Sequence, residues 1–357
     1  MDDGQIWVGD LTEDIPVRPD WLATAREAPI ETEIPIIDPH HHLWEGRASG
    51  TYMIDEMLAD AAGNHVVATV HVECAAHYDL DAPDWMKPVG ETRAIMKARA
   101  DAIRATGAES KIAAAIVGFV DLARGSAVAE VIEAHLAAAG RRFVGIRHNT
   151  VWHSNRRLFR TGRPPKPRIQ PDLFEQPGFL EAFALLPRYG LIFDAWLYHT
   201  QLDDVERLAA RFPDQIIVVD HLGSPVCVGA PDAASDAFRQ WRASLARLAH
   251  HANVRMKIGG FGMRVAGGGW EQRATAPDSK DLATAFQPWV SACVDALGPS
   301  RCMFESNFPV DKGSFGYTQL WNAYKRASAG YTPSERAALF HGTAARTYGL
   351  EISGLAV

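Results

Sequence analysis

The segment Asp38-Pro39-His40-His41-His42-Leu43-Trp44 carries three consecutive histidines. Alternate side chains of a strand share a face, so His40 and His42 point the same way. Two imidazoles on one face suit metal binding through neutral ring nitrogens, or the holding of a carbonyl and a water by hydrogen bonds without metal. A lone H-x-H is more often a chance cluster in a loop, so its weight depends on what converges with it. Val219-Asp220-His221-Leu222-Gly223 ends a β-rich run at His221, and FDAWLYHTQL brings His199 to a strand end or to the cap of the next helix. In Gly145-Ile146-Arg147-His148-Asn149, the arginine can hold a substrate carboxylate through two parallel hydrogen bonds, with His148 beside it. Glu73, at the end of His71-Val72-Glu73, is a candidate substrate contact or the partner of Arg147 or Lys257 in a structural ion pair. In Cys302-Met303-Phe304-Glu305-Ser306-Asn307-Phe308-Pro309, residues 303, 305 and 307 share a face, which sets Glu305 one layer below Asn307. A carboxylate buried there must be paired or have a displaced pKa. The competing role for Glu305 is a salt bridge to Lys257 or Arg147. Trp44 and Trp152 are candidates for stacking on a substrate ring, whereas Trp289 reads as core.

What could bring these groups together is a repeating unit. Runs rich in β-branched residues occupy 34–40, 65–73, 111–120, 143–148, 191–197, 215–221, 254–259 and 301–307. Helical periodicity fills 91–106, 126–139, 201–212, 234–250 and 282–297, and a last helix over 333–348 is expected to cover the barrel outside. Eight βα units predict an α/β fold, a (β/α)8 TIM barrel with long loops at its C-terminal face, where barrel active sites lie. Residues 1–33 read as an arm or cover over one end, and 34–357 as the barrel. The Pro- and Arg-rich stretch within 149–176 is a candidate lid or clamp, or a solvated basic loop.

The 357 residues are 47% hydrophobic and 22% charged, and 36 Lys plus Arg against 43 Asp plus Glu give a net charge of -7. That balance excludes the electrostatic footprint of a nucleic-acid binder. No run approaches the about 18 apolar residues of a membrane span, and the acidic start MDDGQIWVGDLTEDIP is unlike a secretory leader, so a cytoplasmic location is expected. The four cysteines form no C-x-x-C pair, which argues against a disulfide framework or a thiolate zinc site. Of the 14 histidines, His40, His42, His148, His199 and His221 are expected to meet at the barrel mouth. A homodimer is the default expectation.

Taken in order, DPHHHLW, GIRHN, FDAWLYHTQLDDVERLAARFPDQIIVVDHLGSP, KIGG and MFESNFPVD resemble the amidohydrolase superfamily, in its branch of TIM-barrel proteins that look like sugar and muconate-type lactonases. The resemblance spans roughly residues 34–348. It implies an active site at the C-terminal mouth, with His40, His42 and His221 at the family's histidine positions. Members commonly end strand eight in a motif like G-S-D-W-P, whose Asp deprotonates the attacking water. Here Asn307 stands at that Asp and Glu305 at the glycine, so Glu305, Asp311 or a histidine must serve as base. The family's strand-four Lys has no equivalent, so at most one divalent ion, zinc or manganese, is implied at His40 and His42, with His221 and Glu305 as further ligands. Metal-free catalysis stays open. The leading expectation is hydrolysis of a lactone of an acidic small molecule, with Glu305 as base ahead of His221, Asn307 and His199 in supporting roles, and Arg147, His148, Glu73, Trp44, Trp152 and Lys257 around the substrate. The rivals are a metal-dependent decarboxylase or hydratase on the same barrel, and a non-catalytic small-molecule binder.

Overall fold

The computed structural model describes residues 14–47, 49–107, 111–155, 158, 170–227, 235–352 and 354–355. Eight parallel strands form one sheet in chain order: β1 (Ile36–His41), β2 (Val66–Val72), β3 (Ala115–Gly118), β4 (Phe143–Asn149), β5 (Ile192–Trp196), β6 (Ile217–Val219), β7 (Val254–Ile258) and β8 (Cys302–Phe304). All eight expected runs are strands, so the expected TIM barrel is the observed architecture. The ring closes beyond the end of β8, where His42 N donates to Phe308 O at 2.7 Å and Asn307 N donates to His40 O at 2.9 Å. The seam of the barrel is thus made of the two segments richest in candidate chemistry.

β1 keeps its histidines inward by means of a bulge. Asp38 pairs with Thr69 and His41 with His71, so β1 spends three residues where β2 spends two. Ile37 packs in the barrel interior, Asp38 turns outward to Tyr317 Oη (3.0 Å) and Ser306 N (3.0 Å), and the extra residue restores His40 and His42 to the inner face. Proline, with no N–H to give the ladder, fits this irregularity at position 39.

Two apolar layers hold the strands. The outer one lies between the strands and helices such as Val89–Thr106, Leu202–Arg211, Asp236–Leu248 and Ser279–Leu297. The inner one holds Ile37, Val70, Val117, Val218 and Met303, together with Ala344, Ala345 and Tyr348. The C-terminal segment therefore does not simply cover the barrel's outside, as expected for 333–348. It runs from Pro333–Ala337 through a wider turn, Ala338–Gly342, into Thr343–Tyr348, and Tyr348 plugs the barrel interior with its hydroxyl 3.1 Å from Asp194 Oδ2. The amphipathic pattern is real; Leu339 and Phe340 face the outer layer, and one turn on the apolar residues change layers.

Within the N-terminal stretch, residues 14–33 strap along the flank near β7 and β8. Trp21 Nε1 donates to Arg273 O (2.9 Å), Glu27 accepts from Ser279 N (2.6 Å) and Arg336 grips both Glu31 carboxylate oxygens. Residues 1–13, most of the basic part of 149–176 and residues 228–234 lie outside the described residues. No described helix is long and apolar enough to cross a membrane.

Candidate active site

His42 Nδ1–H donates to Val72 O at 2.7 Å, which leaves Nε2 as the bare nitrogen. That atom lies 3.3 Å from His40 Nε2. The other nitrogen of His40, Nδ1, faces Glu305 Oε2 at 3.0 Å and Asp220 Oδ1 at 3.5 Å and so carries the proton. Burial, followed by Lys257 for His40 and by His40 for His42, pushes both imidazoles toward the neutral form. Two lone pairs therefore converge on one point. Arg147 Nη1 reaches His40 Nε2 at 3.4 Å, at the long limit of a hydrogen bond.

Glu305 is fully buried under His221. Its Oε1 accepts from His221 Nδ1 at 2.6 Å and from His221 N at 3.1 Å. Burial raises this carboxyl, but the His221 and His40 rings outweigh it and hold it down at about 2. With Nδ1 engaged, His221 presents Nε2, which makes no hydrogen bond among the described residues. Glycine makes the packing possible, since a Cβ at Gly259 would overlap Glu305 Cγ. Gly259→Ala is accordingly expected to lower turnover at least tenfold with the fold retained, because a displacement of about 1 Å in such a pair costs up to ~100-fold. Steady-state rates alongside circular dichroism check it, and wild-type turnover would show that the packing is slack.

β6 ends at Val219, and His221 adopts a left-handed backbone (φ 54). Asp220 and His221 consequently both face inward, where strand alternation would have separated them. Below them, Lys257 Nζ binds Asp194 Oδ2 (2.6 Å) and Asp220 Oδ1 (2.9 Å) and approaches His40 Nδ1 (3.2 Å). Burial opposes the ammonium charge, yet Asp194 and Asp220 hold its pKa well above the usual lysine range. Burial lifts Asp194 to about 6 against the pull of Lys257.

The structure thus gathers His40, His42, His221, Glu305, Asp220, Lys257 and Arg147, but not every residue expected beside them. Arg147 Nε donates to Glu73 Oε1 at 2.9 Å and Nη2 donates to Glu73 O. The guanidinium is spent on a protein carboxylate, so the ion-pair alternative for Glu73 is the one observed. His148 follows Arg147 on the strand and must face the other way. It packs on Phe119 and Phe179, 3.6 Å from Asp121, away from the inner face. Lys257 lies fully buried beneath the site, and Trp44 is sealed behind His42 with Nε1 on Gly50 O. Trp152, half-buried, is tied through its N–H to Gln201 Oε1. His199 Nδ1 accepts from Val226 N at 3.1 Å, and burial lowers its pKa to about 4, so it acts as a neutral strut between loops.

Asn307 has a left-handed backbone (φ 54), which asparagine tolerates, and its amide donates to Asp311 Oδ1 at 2.8 Å. Asp311 Oδ2 accepts from Gly262 N, and burial lifts this carboxyl to about 7. Reading the sequence gave no role to Asp194 or Asp220. Alternation along Phe193-Asp194-Ala195-Trp196 could have found Asp194, since it puts that residue on the face of Trp196, which stands under the Arg147 guanidinium (5.1 Å) and edge-on to His221 (6.4 Å).

Two features fit a divalent cation. Bonds of 2.0–2.1 Å at a tetrahedral angle put two zinc-bound nitrogens about 3.3 Å apart, the separation of the two Nε2 atoms. Around them Glu73, Asp194, Asp220 and Glu305 face, among the described residues, only the Arg147 and Lys257 side chains as permanent cations. In a second donor group, His40, Asp220 and His221, the Lys257 ammonium already lies against Asp220 Oδ1 and His40 Nδ1.

The family model described as Amidohydrolase matches residues 37–350. An uncharacterised protein of Sinorhizobium fredii is 31% identical over 338 residues, covering 89% of this chain and 99% of that one. An L-fucono-1,5-lactonase of Burkholderia multivorans is 28% identical over 316 residues, 88% of this chain and 96% of that one. Among solved structures, a zinc-bound amidohydrolase from Burkholderia multivorans superposes with a TM-score of 0.68 at 24% identity, over 89% of this chain and 100% of that one.

Proposed function

Because this chain belongs to the amidohydrolase family, we propose that it is a hydrolase that opens a lactone or similar cyclic carboxylic ester with water. The observation that carries the reading is the 2.6 Å contact between His221 Nδ1 and Glu305 Oε1 beside the His40–His42 pair. A buried carboxylate that fixes the tautomer of an imidazole makes the far nitrogen a base. Asn307, at the position of the family's Asp, has no such capacity.

In this reading His221 Nε2 takes a proton from the attacking water and Glu305 stabilises the resulting imidazolium. The new oxygen–carbon bond forms at the ester carbonyl, the ring carbon–oxygen bond breaks, and the proton passes to the leaving oxygen to give a hydroxy acid. The base is thus His221 oriented by Glu305, the reverse of the order expected from sequence, since a carboxylate held at about 2 is a weak base. His40 and His42 would hold a divalent ion such as zinc or manganese, whose chemistry is polarisation of the carbonyl. The zinc in the structurally similar amidohydrolase and the lactonase relative support this assignment. An acidic substrate rested on a free Arg147 fork; with that fork on Glu73, the proposal carries the ring ester alone.

The test is incubation of the purified protein with a panel of five- and six-membered lactones, followed by titration of released acid and mass spectrometry in oxygen-labelled water. The expected result is a gain of one water with the label in the product carboxylate. Carbon dioxide released from an aromatic acid, with no lactone opened, would instead make this a decarboxylase.

A further inference from the structure

The short loop after β7 packs against two groups at once. A Cβ at Gly260 would come within 2.7 Å of His221 Cβ, and a Cβ at Gly262 within 2.7 Å of Asp311 Cβ, so both side chains lie against the same turn. Burial lifts Asp311 to about 7 against the pull of the Gly262 N–H and of the His221 ring, which places that ring within electrostatic reach. Asp311 is fixed through both oxygens, for Oδ2 accepts from Gly262 N and Oδ1 from Asn307 Nδ2, each at 2.8 Å. Asn307 is held in turn by its own N–H on His40 O at 2.9 Å. A carboxylate only accepts, so turning the Asn307 amide over would set oxygen against oxygen. The amide nitrogen is therefore kept on Asp311. Oδ1, which accepts no hydrogen bond among the described residues and is not closed off from solvent, is the polar atom that the Asn307 side chain has left to offer.

We infer that Asn307 Oδ1, turned by Asp311, guides the attacking water by accepting one of its hydrogens while His221 Nε2 takes the other. The inference rests on the hydrolytic reading for its reaction and on the network of Asn307, Asp311 and Gly262 for its geometry. A water held by both hydrogens has only its lone pairs free, and the two acceptors aim them at the ester carbonyl carbon. Asparagine supplies direction without basicity, since its carbonyl accepts a hydrogen bond but takes no proton. Base and guide are then separate residues. His221 removes one proton and carries it to the leaving oxygen, and the second hydrogen stays on the oxygen that joins the carbonyl carbon. Asp311 is a positioning residue that acts through the Asn307 amide and touches neither water nor ester.

The experiment is Asp311→Asn in the full-length protein, assayed on a lactone that the wild type opens, at about one pH unit above the value of about 7 to which burial lifts the carboxyl. Methanol is added as a competing nucleophile. The replacement keeps the shape and an oxygen for the Gly262 N–H, but its new NH2 faces Asn307, so the Asn307 amide turns over and offers N–H where it offered oxygen. kcat is expected to fall about 5- to 150-fold, the cost of leaving a buried hydrogen-bonding group without its partner, with KM little changed. Methanol has a single hydroxyl hydrogen and gains nothing from a second acceptor, so the ratio of methyl ester to hydroxy acid should be several-fold higher in the variant than in the wild type. Wild-type kcat in the variant, or a lower kcat with an unchanged product ratio, overturns the inference and leaves lactone hydrolysis in place. If the wild type opens no lactone, the hydrolytic reading falls, and neutron diffraction from deuterated wild-type crystals decides the geometry separately; the same measurement serves if Asp311→Asn does not fold. Amide deuterons on Asp311, with one water shared by Asn307 Oδ1 and His221 Nε2, support the inference. Amide deuterons turned away from Asp311, or no shared water, overturn it.

Discussion

Glu305→Gln is expected to lower kcat by about 100- to 10,000-fold, the range that a positioned acid–base group contributes, while changing KM little and leaving the barrel folded. Glutamine has nearly the shape of glutamate, and its amide oxygen can still accept from His221 Nδ1 at the observed 2.6 Å. What disappears is the negative charge. In the proposed mechanism His221 gains a proton as water attacks, and that imidazolium forms in a buried site where a neutral amide stabilises it far less than a carboxylate does. The carboxylate lies beneath His221 with no accessible surface and serves by orientation, so KM has little reason to move. Steady-state kinetics on any lactone that the wild type opens make the measurement. His221→Ala should cost about as much, and the two changes together little more than either one, because they disable one unit. A Glu305→Gln enzyme within tenfold of wild type would remove the His221–Glu305 pair from the chemistry.

The eight strands were legible because each is an apolar run between turn-forming segments, and barrel closure follows from their number. His40 and His42 were legible as well, because the bulge at Pro39 changes parity before them and leaves their own spacing intact. Asp220 was hidden for the opposite reason. Strand alternation ends one residue too early, at Val219, and the left-handed turn at His221 lies beyond any periodic rule. The error over His148 broke a rule already in use, since adjacent residues of one strand do not share a face. The helix Tyr317–Ala327 went unnoticed although Tyr317, Leu320, Trp321 and Tyr324 keep helical spacing. Arg147 exposes a different limit. Its place at the mouth could be read, but whether its fork was free depended on Glu73, which is 74 residues away in sequence.

Lys257→Met is expected to destabilise the protein by about 3–5 kcal/mol at neutral pH, the cost of removing one partner of a buried ion pair. Methionine fills much of the same volume, so the loss is electrostatic. Asp194 and Asp220, both without accessible surface, are left facing each other without the ammonium that binds them at 2.6 and 2.9 Å. Burial already lifts Asp194 to about 6 with the lysine present; for Asp220 burial is outweighed chiefly by Lys257, which holds that carboxyl well below the usual range, so without the lysine both must rise. A folded-state pKa above the unfolded value means that the native state takes up protons, so stability falls as pH rises through the window between them. The deficit of Lys257→Met should therefore be largest at neutral pH and shrink as the pH falls from about 7 toward 4. Urea unfolding of wild type and variant at both pH values measures it. The double change Lys257→Met with Asp194→Asn should recover part of the loss. The introduced asparagine carries no charge, and Tyr348 Oη, now 3.1 Å from the Asp194 carboxylate, can still hydrogen-bond to its amide. A single variant as stable as wild type at neutral pH would mean that these carboxylates are already protonated, and that the excess of negative charge beneath His40, the feature that makes room for a divalent cation, does not exist.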